Sequence, residues 1–151
     1  MFPKRKDYLF VGIQGIFFLL YLFKTEWPFP TLPDFVSIIG LGLGVIGCLV
    51  MIIALFQLGP SLSPFPTPKA KAQLVQHGLY KWVRHPIYTG IIIATLGLGI
   101  YTAQLSRVLL SAALWMLFYW KASYEEQLLA QKYKDYESYQ RKTGMLFPRI
   151  V

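Results

Sequence analysis

The first group of residues able to do chemistry lies in the segment 78–90, GLYKWVRHPIYTG, at the start of an apolar run. Pro86 is typical of the first turn of a helix, because that turn does not use the amide hydrogen that proline lacks. The free amides of such a turn bind anions, and Arg84 and His85 stand beside them. The segment predicts either an anion-binding helix start or an interfacial anchor, with its aromatic residues and Arg84 among lipid headgroups.

A second group, KASYEE, follows another apolar run and contains Lys121, Glu125 and Glu126. Two adjacent carboxylates gain nothing from the negative end of a helix. They are tolerated if the helix continues into solvent or if a cation binds them. The pattern therefore indicates either the solvated start of a tail helix or a cation-binding carboxylate pair.

The order of the two groups places them at one depth. His85 opens one apolar run and Glu125 follows the next, so a helical hairpin brings both to the same end. A basic, anion-binding helix start then faces a carboxylate pair. That arrangement has the polarity needed for a zwitterionic ligand such as an amino acid.

The composition indicates that lipid surrounds the elements that position these residues. The chain has 151 residues, of which 55% are hydrophobic and 15% charged, and its mean hydropathy is +0.45. A soluble domain this small cannot hide so much apolar surface. The net charge of +8 does not indicate nucleic-acid binding, because the basic residues gather at the ends of the apolar runs. We expect one domain, residues 1–151, in the lipid bilayer.

Four apolar runs predict an all-α integral membrane protein with four transmembrane helices and a cytoplasmic C-terminal amphipathic helix. The predicted spans are about 8–23, 35–58, 87–101 and 105–122, and the tail is 123–151. Trp27 extends the short first span into the interface. Because no small-residue cleavage site follows the first run, it predicts a retained span and no signal peptide.

The basic residues predict the orientation. With both termini and the 59–86 loop on one side, all 15 Lys and Arg residues except Lys24 and Arg107 lie on that side. The positive-inside rule makes it the cytoplasmic side. A chain this short is typical of a prokaryotic protein, which predicts the inner membrane.

Other residue patterns predict local structure. Gly40 and Gly44 predict close helix packing within the protein, with homodimerisation as the alternative. Four prolines exclude a helix from the loop 59–68 and predict either a strap across the cytoplasmic mouth or a plain connector. The tail 126–142 is helical in character, and the spacing of Tyr133, Tyr136 and Tyr139 puts all three on one side. There they form a lid over the site or pack against the membrane surface.

The chain resembles the isoprenylcysteine carboxyl methyltransferase family, which shares its fold core with phospholipid N-methyltransferases. The matching motifs, in chain order, are Leu74-Val75-x-x-Gly78-x-Tyr80, Arg84-His85-Pro86-x-Tyr88-x-Gly90, Glu125-Glu126-x-x-Leu129, Tyr133-x-x-Tyr136-x-x-Tyr139 and Phe147-Pro148-Arg149. Together they cover roughly residues 59–151.

The resemblance implies S-adenosyl-L-methionine as the methyl donor, bound on the cytoplasmic side. It implies a cofactor pocket formed by Gln73, Leu74, Val75, Tyr80, His85, Pro86, Ile87, Tyr88, Glu125 and Glu126, in which Glu125 holds the cofactor's amino group. It implies no metal and singles out no certain catalytic residue.

The acceptor is implied to be amphipathic or isoprenoid-like. Lys121 occupies a position at which the carboxyl methyltransferases carry arginine, and lysine offers a point charge where arginine offers a bidentate fork. Arg141 is a second candidate for binding the acceptor. A carboxylate acceptor of the isoprenylcysteine kind, a phospholipid amine and a small thiol all fit these residues. Two alternative hypotheses belong to other functional classes: a non-catalytic membrane scaffold and a nicotinamide-dependent membrane reductase.

Overall fold

In a computed structural model the chain folds into helices joined by loops within the residues that the structure describes, 3–23 and 32–149. The helices are α1 Arg5–Leu22, α2 Asp34–Leu58, α3 Pro86–Tyr101, α4 Leu105–Lys132 and α5 Tyr136–Lys142. These ranges contain no β-strand, and Val83 and Gly144 form an isolated β-bridge. The prediction of an all-α protein is confirmed. Lys24 and Trp27, which enter the predicted orientation and the first span, lie outside the described residues.

Glycines let α2 and α3 pack backbone against backbone. Gly40, Gly44 and Gly47 are buried in α2. A Cβ added to Gly47 would overlap the backbone of Ala94 in α3, and one added to Gly97 would overlap that of Gly44. Small residues allow this approach where lipid supplies no hydrophobic drive for helix association. The prediction that these glycines serve packing within the protein is confirmed.

A tight turn joins α3 to α4 and folds them into a hairpin. The amide of Ala103 donates to the carbonyl of Ile100 over 3.0 Å, and that of Gln104 donates to Gly99 over 3.1 Å. Ala103 adopts a positive φ of 48° to close the turn. Because α4 then returns beside α3, its later turns lie at the level where α3 begins.

The hydrophobic core lies between α1, α3, α4 and the C-terminal segment. Its buried members are Ile92, Leu114, Leu117, Phe118 and Leu146, and side chains packed against them include Phe10, Ile13, Phe17 and Phe18 of α1. The core therefore ties the first helix and the chain end to the α3–α4 hairpin.

Two local predictions differ from the structure. The loop after α2 opens with a 3₁₀ turn, Gly59–Ser61, because proline's fixed φ suits the start of a tight turn. The predicted exclusion of helix holds only beyond that turn. The tail 126–142 is not one helix, since Tyr133 takes extended backbone angles (φ −115°, ψ 117°) and separates α4 from α5.

Membrane-crossing capacity differs among the helices. By length and composition, one helical segment of the described chain, Asp34–Ser61, is long and apolar enough to cross a bilayer, and Pro86–Tyr101 is a shorter apolar helix. The predicted runs 8–23 and 105–122 fall within α1 and α4, apart from residue 23, which follows the last residue of α1. Four spans therefore stay a prediction.

Candidate active site

A cavity of about 290 Å³ lies where the start of α3, the C-terminal half of α4 and the loop after α2 meet, with Gln14 of α1 also in its wall. Its volume is close to the lower end of the range for small-molecule sites, about 300–1,000 Å³. Aromatic and aliphatic side chains form most of the wall. A few charged groups stand among them.

The start of α3 is held in place by the C-terminal segment, residues 143–147. The Arg84 amide donates to the carbonyl of Gly144 over 2.9 Å, and the His85 amide donates to that of Met145 over 3.1 Å. These bonds consume the amides that immediately precede the helix. The chain end therefore fixes the position of the first turn of α3.

Two amides of that first turn stay available. Pro86 has no amide hydrogen, and in the described chain the amides of Ile87 and Tyr88 have no backbone acceptor, as expected at a helix start. Both residues line the cavity. The positive end of the α3 dipole thus meets the cavity at a point suited to an anion.

Glu125 projects from α4 into the same cavity. The Tyr88 hydroxyl donates to its Oε2 over 2.9 Å, and His85 Nδ1 lies 3.8 Å from the same oxygen. Burial raises the pKa of Glu125, although His85, the Tyr88 hydrogen bond and Lys121 counteract part of the shift. The predicted juxtaposition of the α3 start and this carboxylate is confirmed.

The Glu126 side chain points away from the cavity and contacts other protein side chains. Its carboxylate accepts from Arg84 Nε over 2.6 Å, from Gln140 Nε2 over 2.8 Å and lies 3.2 Å from His85 Nε2. Burial alone would raise the pKa of Glu126, but the hydrogen bonds from His85 and Arg84 lower it to about 2. An ionised carboxylate only accepts, so Nε2 of His85 donates to Glu126, and this bond orients the ring.

Lys121 brings a buried positive charge to the cavity wall. The residue is 2% exposed, and its Nζ donates to Gln14 Oε1 over 2.7 Å and to the Pro64 carbonyl over 3.1 Å. It also lies over the Tyr88 ring, 5.3 Å from the centroid. Both hydrogen-bond partners are neutral, so neither neutralises the ammonium charge.

The three tyrosines of the predicted lid line the cavity. The Tyr133 hydroxyl donates to the Ala72 carbonyl over 2.5 Å, and the Tyr139 hydroxyl donates to the Tyr80 carbonyl over 2.6 Å. Tyr136 is 1% exposed. Burial raises the pKa of Tyr139 to about 12, so this hydroxyl stays a donor at neutral pH. The hydroxyls of Tyr133 and Tyr139 thus fasten the tail to the 72–80 segment.

Most of the residues predicted for binding come together in the cavity wall. The predicted cofactor residues found there are Gln73, Leu74, Val75, Tyr80, His85, Ile87, Tyr88 and Glu125. The predicted acceptor residue Lys121 lies there too. Pro86, Glu126 and Arg141 do not line the cavity: Pro86 starts α3, Glu126 pairs with Arg84, and Arg141 is exposed on α5.

Sequence reasoning missed the contribution of α1 and the apolar wall. Gln14 lines the cavity although it lies more than 100 residues from Lys121 in the chain. Its signal in the sequence is a single amide side chain inside the apolar run 8–23, since polar residues within such runs mark functional sites. Leu129 also lines the cavity, one turn beyond Glu125.

Comparisons with known proteins establish the family. A sequence model of the phospholipid methyltransferase family matches residues 35–136. The chain is 33% identical over 128 residues to a probable protein-S-isoprenylcysteine O-methyltransferase of Oryza sativa subsp. indica. The aligned region covers 81% of this chain and 67% of that protein. The chain belongs to the phospholipid and isoprenylcysteine methyltransferase family. The resemblance found in the sequence motifs is confirmed.

Other members of this methyltransferase family extend the likeness. A protein-S-isoprenylcysteine O-methyltransferase of Schizosaccharomyces pombe is 35% identical over 101 residues, 64% of this chain and 43% of that protein. The solved structure of the eukaryotic intramembrane Ras methyltransferase, isoprenylcysteine carboxyl methyltransferase, superposes with a TM-score of 0.69 at 25% identity. That match covers 99% of this chain and 55% of the other. The chain thus has the fold of an integral membrane methyltransferase and spans about half the length of the solved relative.

Proposed function

We propose that this protein transfers a methyl group from S-adenosyl-L-methionine to a carboxylate on a lipid-like acceptor at the cytoplasmic face of a prokaryotic inner membrane. One observation carries the proposal: a single cavity joins the free amides at the start of α3 to the Glu125 carboxylate. Those groups complement the two opposite charges of an amino-acid moiety. Family membership supplies the reaction class.

The residues present fit the cofactor. Ile87 and Tyr88 offer amides to its carboxylate, and Glu125 offers a carboxylate oxygen to its ammonium group, since Tyr88 donates to only one of the two oxygens. The cofactor, when bound, supplies an electrophilic methyl group on a sulfonium. The tyrosines of the tail and the loop after α2 line the site.

Lys121 favours a carboxylate acceptor over an amine. The ion pairs of the described residues involve only Arg84 and His85 on the basic side, which leaves the Lys121 ammonium without a carboxylate in contact. An ammonium in the cavity attracts a carboxylate acceptor and repels a cationic amine. A carboxylate also needs no general base, because its reference pKa of about 3.5 leaves it ionised at neutral pH.

The distribution of basic residues supports the proposed membrane arrangement. Four spans, with both termini on the cytoplasmic side, keep the basic residues on the inner face. The cavity at the start of α3 then opens at that face. An apolar acceptor tail enters from the bilayer between the helices, while its polar end reaches Lys121.

Two measurements on the purified protein test the proposal. Calorimetry in detergent should detect S-adenosyl-L-methionine binding by the wild type and its loss in Glu125→Ala. Radiolabelled methyl transfer to an S-prenylated cysteine with a free carboxylate should follow the same pattern. Glu137→Ala, an exposed carboxylate on α5, is the matched control and should resemble the wild type. Absence of cofactor binding by the wild type overturns the proposal.

A further inference from the structure

We infer that Gln14 of α1 completes a carboxylate subsite with Lys121 and determines the acceptor specificity of this enzyme, an inference that rests on the proposed function. The Gln14 side-chain oxygen accepts from Lys121 Nζ over 2.7 Å. The same side chain lines the cavity. Two features of this contact allow it to select an acceptor that carries a carboxylate.

The contact leaves the positive charge of Lys121 intact. Burying an ammonium is costly unless a counterion compensates it, yet the two groups that receive its hydrogens, the Gln14 amide and the Pro64 carbonyl, are neutral. A carboxylate at position 14 would form a stable ion pair and remove the field that attracts an acidic acceptor. Glutamine orients the ammonium while preserving that field.

The Gln14 side chain also has an unused hydrogen-bond donor. With its oxygen turned to Lys121, the Gln14 nitrogen carries two hydrogens, and no acceptor for them is found among residues 3–23 and 32–149. A ligand carboxylate beside Lys121 can therefore receive a charge-assisted hydrogen bond from Gln14 as well. One ammonium and one amide reproduce the two-donor recognition that a single arginine provides.

Gln14 lies outside the range that the family model matches. α1 lies wholly before residue 35, where the family match begins. The cofactor side of the cavity is built from α3 and α4, within the matched range. The acceptor side of the cavity therefore includes a residue of α1, outside the matched range, while the cofactor side lies within it.

Calorimetry with an S-prenylated cysteine and with its methyl ester tests the inference without requiring catalysis. The wild type should bind the free acid at least tenfold more tightly than the ester. Gln14→Glu should abolish that preference, because the new carboxylate neutralises Lys121, and Gln14→Leu should reduce it severalfold. Gln127→Glu, an exposed position on α4, should keep the wild-type preference.

Cofactor affinity separates this inference from the proposed function. Gln14→Glu and Gln14→Leu should still bind S-adenosyl-L-methionine, which also reports that the variants are folded. Retention of the acid preference in a cofactor-binding Gln14→Glu variant overturns the role of Gln14. Failure of the wild type to bind the cofactor overturns the proposed function instead.

A second cavity carries an independent inference. This cleft, of about 320 Å³, is lined by Gln76, Lys81, Trp82, Tyr139, Lys142, Thr143 and Arg149. It contains three cationic side chains and no carboxylate, and none of the three forms an ion pair among the described residues. Three like charges around one hollow are stabilised by an anion.

The aromatic residue of this cleft indicates where the anion resides. Trp82 is 63% exposed, and Lys81 lies over its ring, 5.8 Å from the centroid. Exposed tryptophan beside lysine is typical of the headgroup region of a bilayer, and clustered cations attract anionic lipids. We infer that the cleft binds the phosphate of an anionic phospholipid.

Native mass spectrometry of protein purified with mixed phosphatidylglycerol and phosphatidylcholine tests this second inference. The wild type should retain phosphatidylglycerol, and the triple variant Lys81→Gln, Lys142→Gln, Arg149→Gln should lose it. A control triple variant at exposed lysines, Lys69→Gln, Lys71→Gln, Lys134→Gln, should retain it. Equal retention by both triple variants overturns the inference, as does displacement of the lipid by inorganic phosphate alone.

Discussion

The Tyr88 hydroxyl donates a 2.9 Å hydrogen bond to Glu125 Oε2 and so joins the first turn of α3 to α4 inside the cavity. The Tyr88 ring also stacks on Phe118, with centroids 4.7 Å apart. The tyrosine is therefore fixed by packing and presents its hydroxyl to the carboxylate. This bond holds the carboxylate at the level of the free α3 amides.

Tyr88→Phe should weaken cofactor binding by about ten- to 150-fold, because a hydrogen bond to a charged group contributes about 1.5–3 kcal/mol. The ring and its stacking are preserved, so the fold should be unaffected. Titration calorimetry with S-adenosyl-L-methionine measures the change. Tyr119→Phe, at an exposed position, should bind like the wild type, and equal affinities for all three proteins would contradict the assignment.

On acidification, cofactor binding should begin to weaken at a higher pH than it would if Glu125 had the pKa of an ordinary glutamate. Glu125 must be ionised to pair with an ammonium group, and burial raises its pKa in the empty site. As the pH falls through that raised pKa, the carboxylate is protonated and affinity is lost. As the pH is lowered from 8, the dissociation constant should begin to rise before the pH reaches the range in which an ordinary glutamate titrates, whereas an affinity that stays constant down to that range would contradict this role for Glu125.

Arg84→Met should destabilise the protein by about 3–5 kcal/mol, since it leaves the buried Glu126 carboxylate without its cation. Arg84 also donates to the backbone carbonyls of Gln140 and Thr143, so the tail loosens as well. Thermal unfolding in detergent measures the loss. Arg84→Lys keeps the positive charge but loses the several fixed donors of the guanidinium group. The melting temperature of this variant should lie between those of Arg84→Met and the wild type.

Acid should loosen the same contact. The folded state lowers the pKa of Glu126 to about 2, below the reference value of about 4.3. This group therefore contributes stability above pH 4.3 that is lost progressively as the pH falls towards 2. The melting temperature of the wild type should fall across that window, and that of Glu126→Gln should be lower at neutral pH and change less.

The motif residues of the site were predictable because a hairpin fixes their geometry. His85 and Glu125 flank two consecutive apolar runs, and antiparallel helices return the chain to its starting level. Charge type then indicated a ligand with two opposite charges. The positions of Glu125 and Lys121 in the cavity wall follow from the period of α4, which continues without a break from Leu105 to Lys132.

The remaining features depend on contacts that sequence spacing does not encode. Glu126 adjoins Glu125 in the chain, but successive helix positions face about 100° apart, and that rotation turns it towards Arg84. The contact of Gln14 with Lys121 depends on how α1 packs against α4. The pairing of residues 143–147 with the start of α3 depends on the break at residues 133–135, which periodicity does not reveal.

The packing of α2 on α3 gives a graded prediction for three glycines. Gly47→Ala should be strongly destabilising, by about 1–3 kcal/mol or more, because the new methyl group would overlap the Ala94 backbone. At Gly44 the nearest atom to an added Cβ is Leu98 Cγ, at 3.6 Å, which is ordinary contact, so Gly44→Ala should be tolerated. At Gly42 an added Cβ has nothing within 4 Å, and alanine's higher helix propensity should stabilise by up to about 1 kcal/mol. Melting temperatures in one detergent should therefore rank Gly42→Ala above Gly44→Ala and Gly44→Ala above Gly47→Ala. The opposite rank of the first and last variants would show that α2 and α3 do not pack through this face.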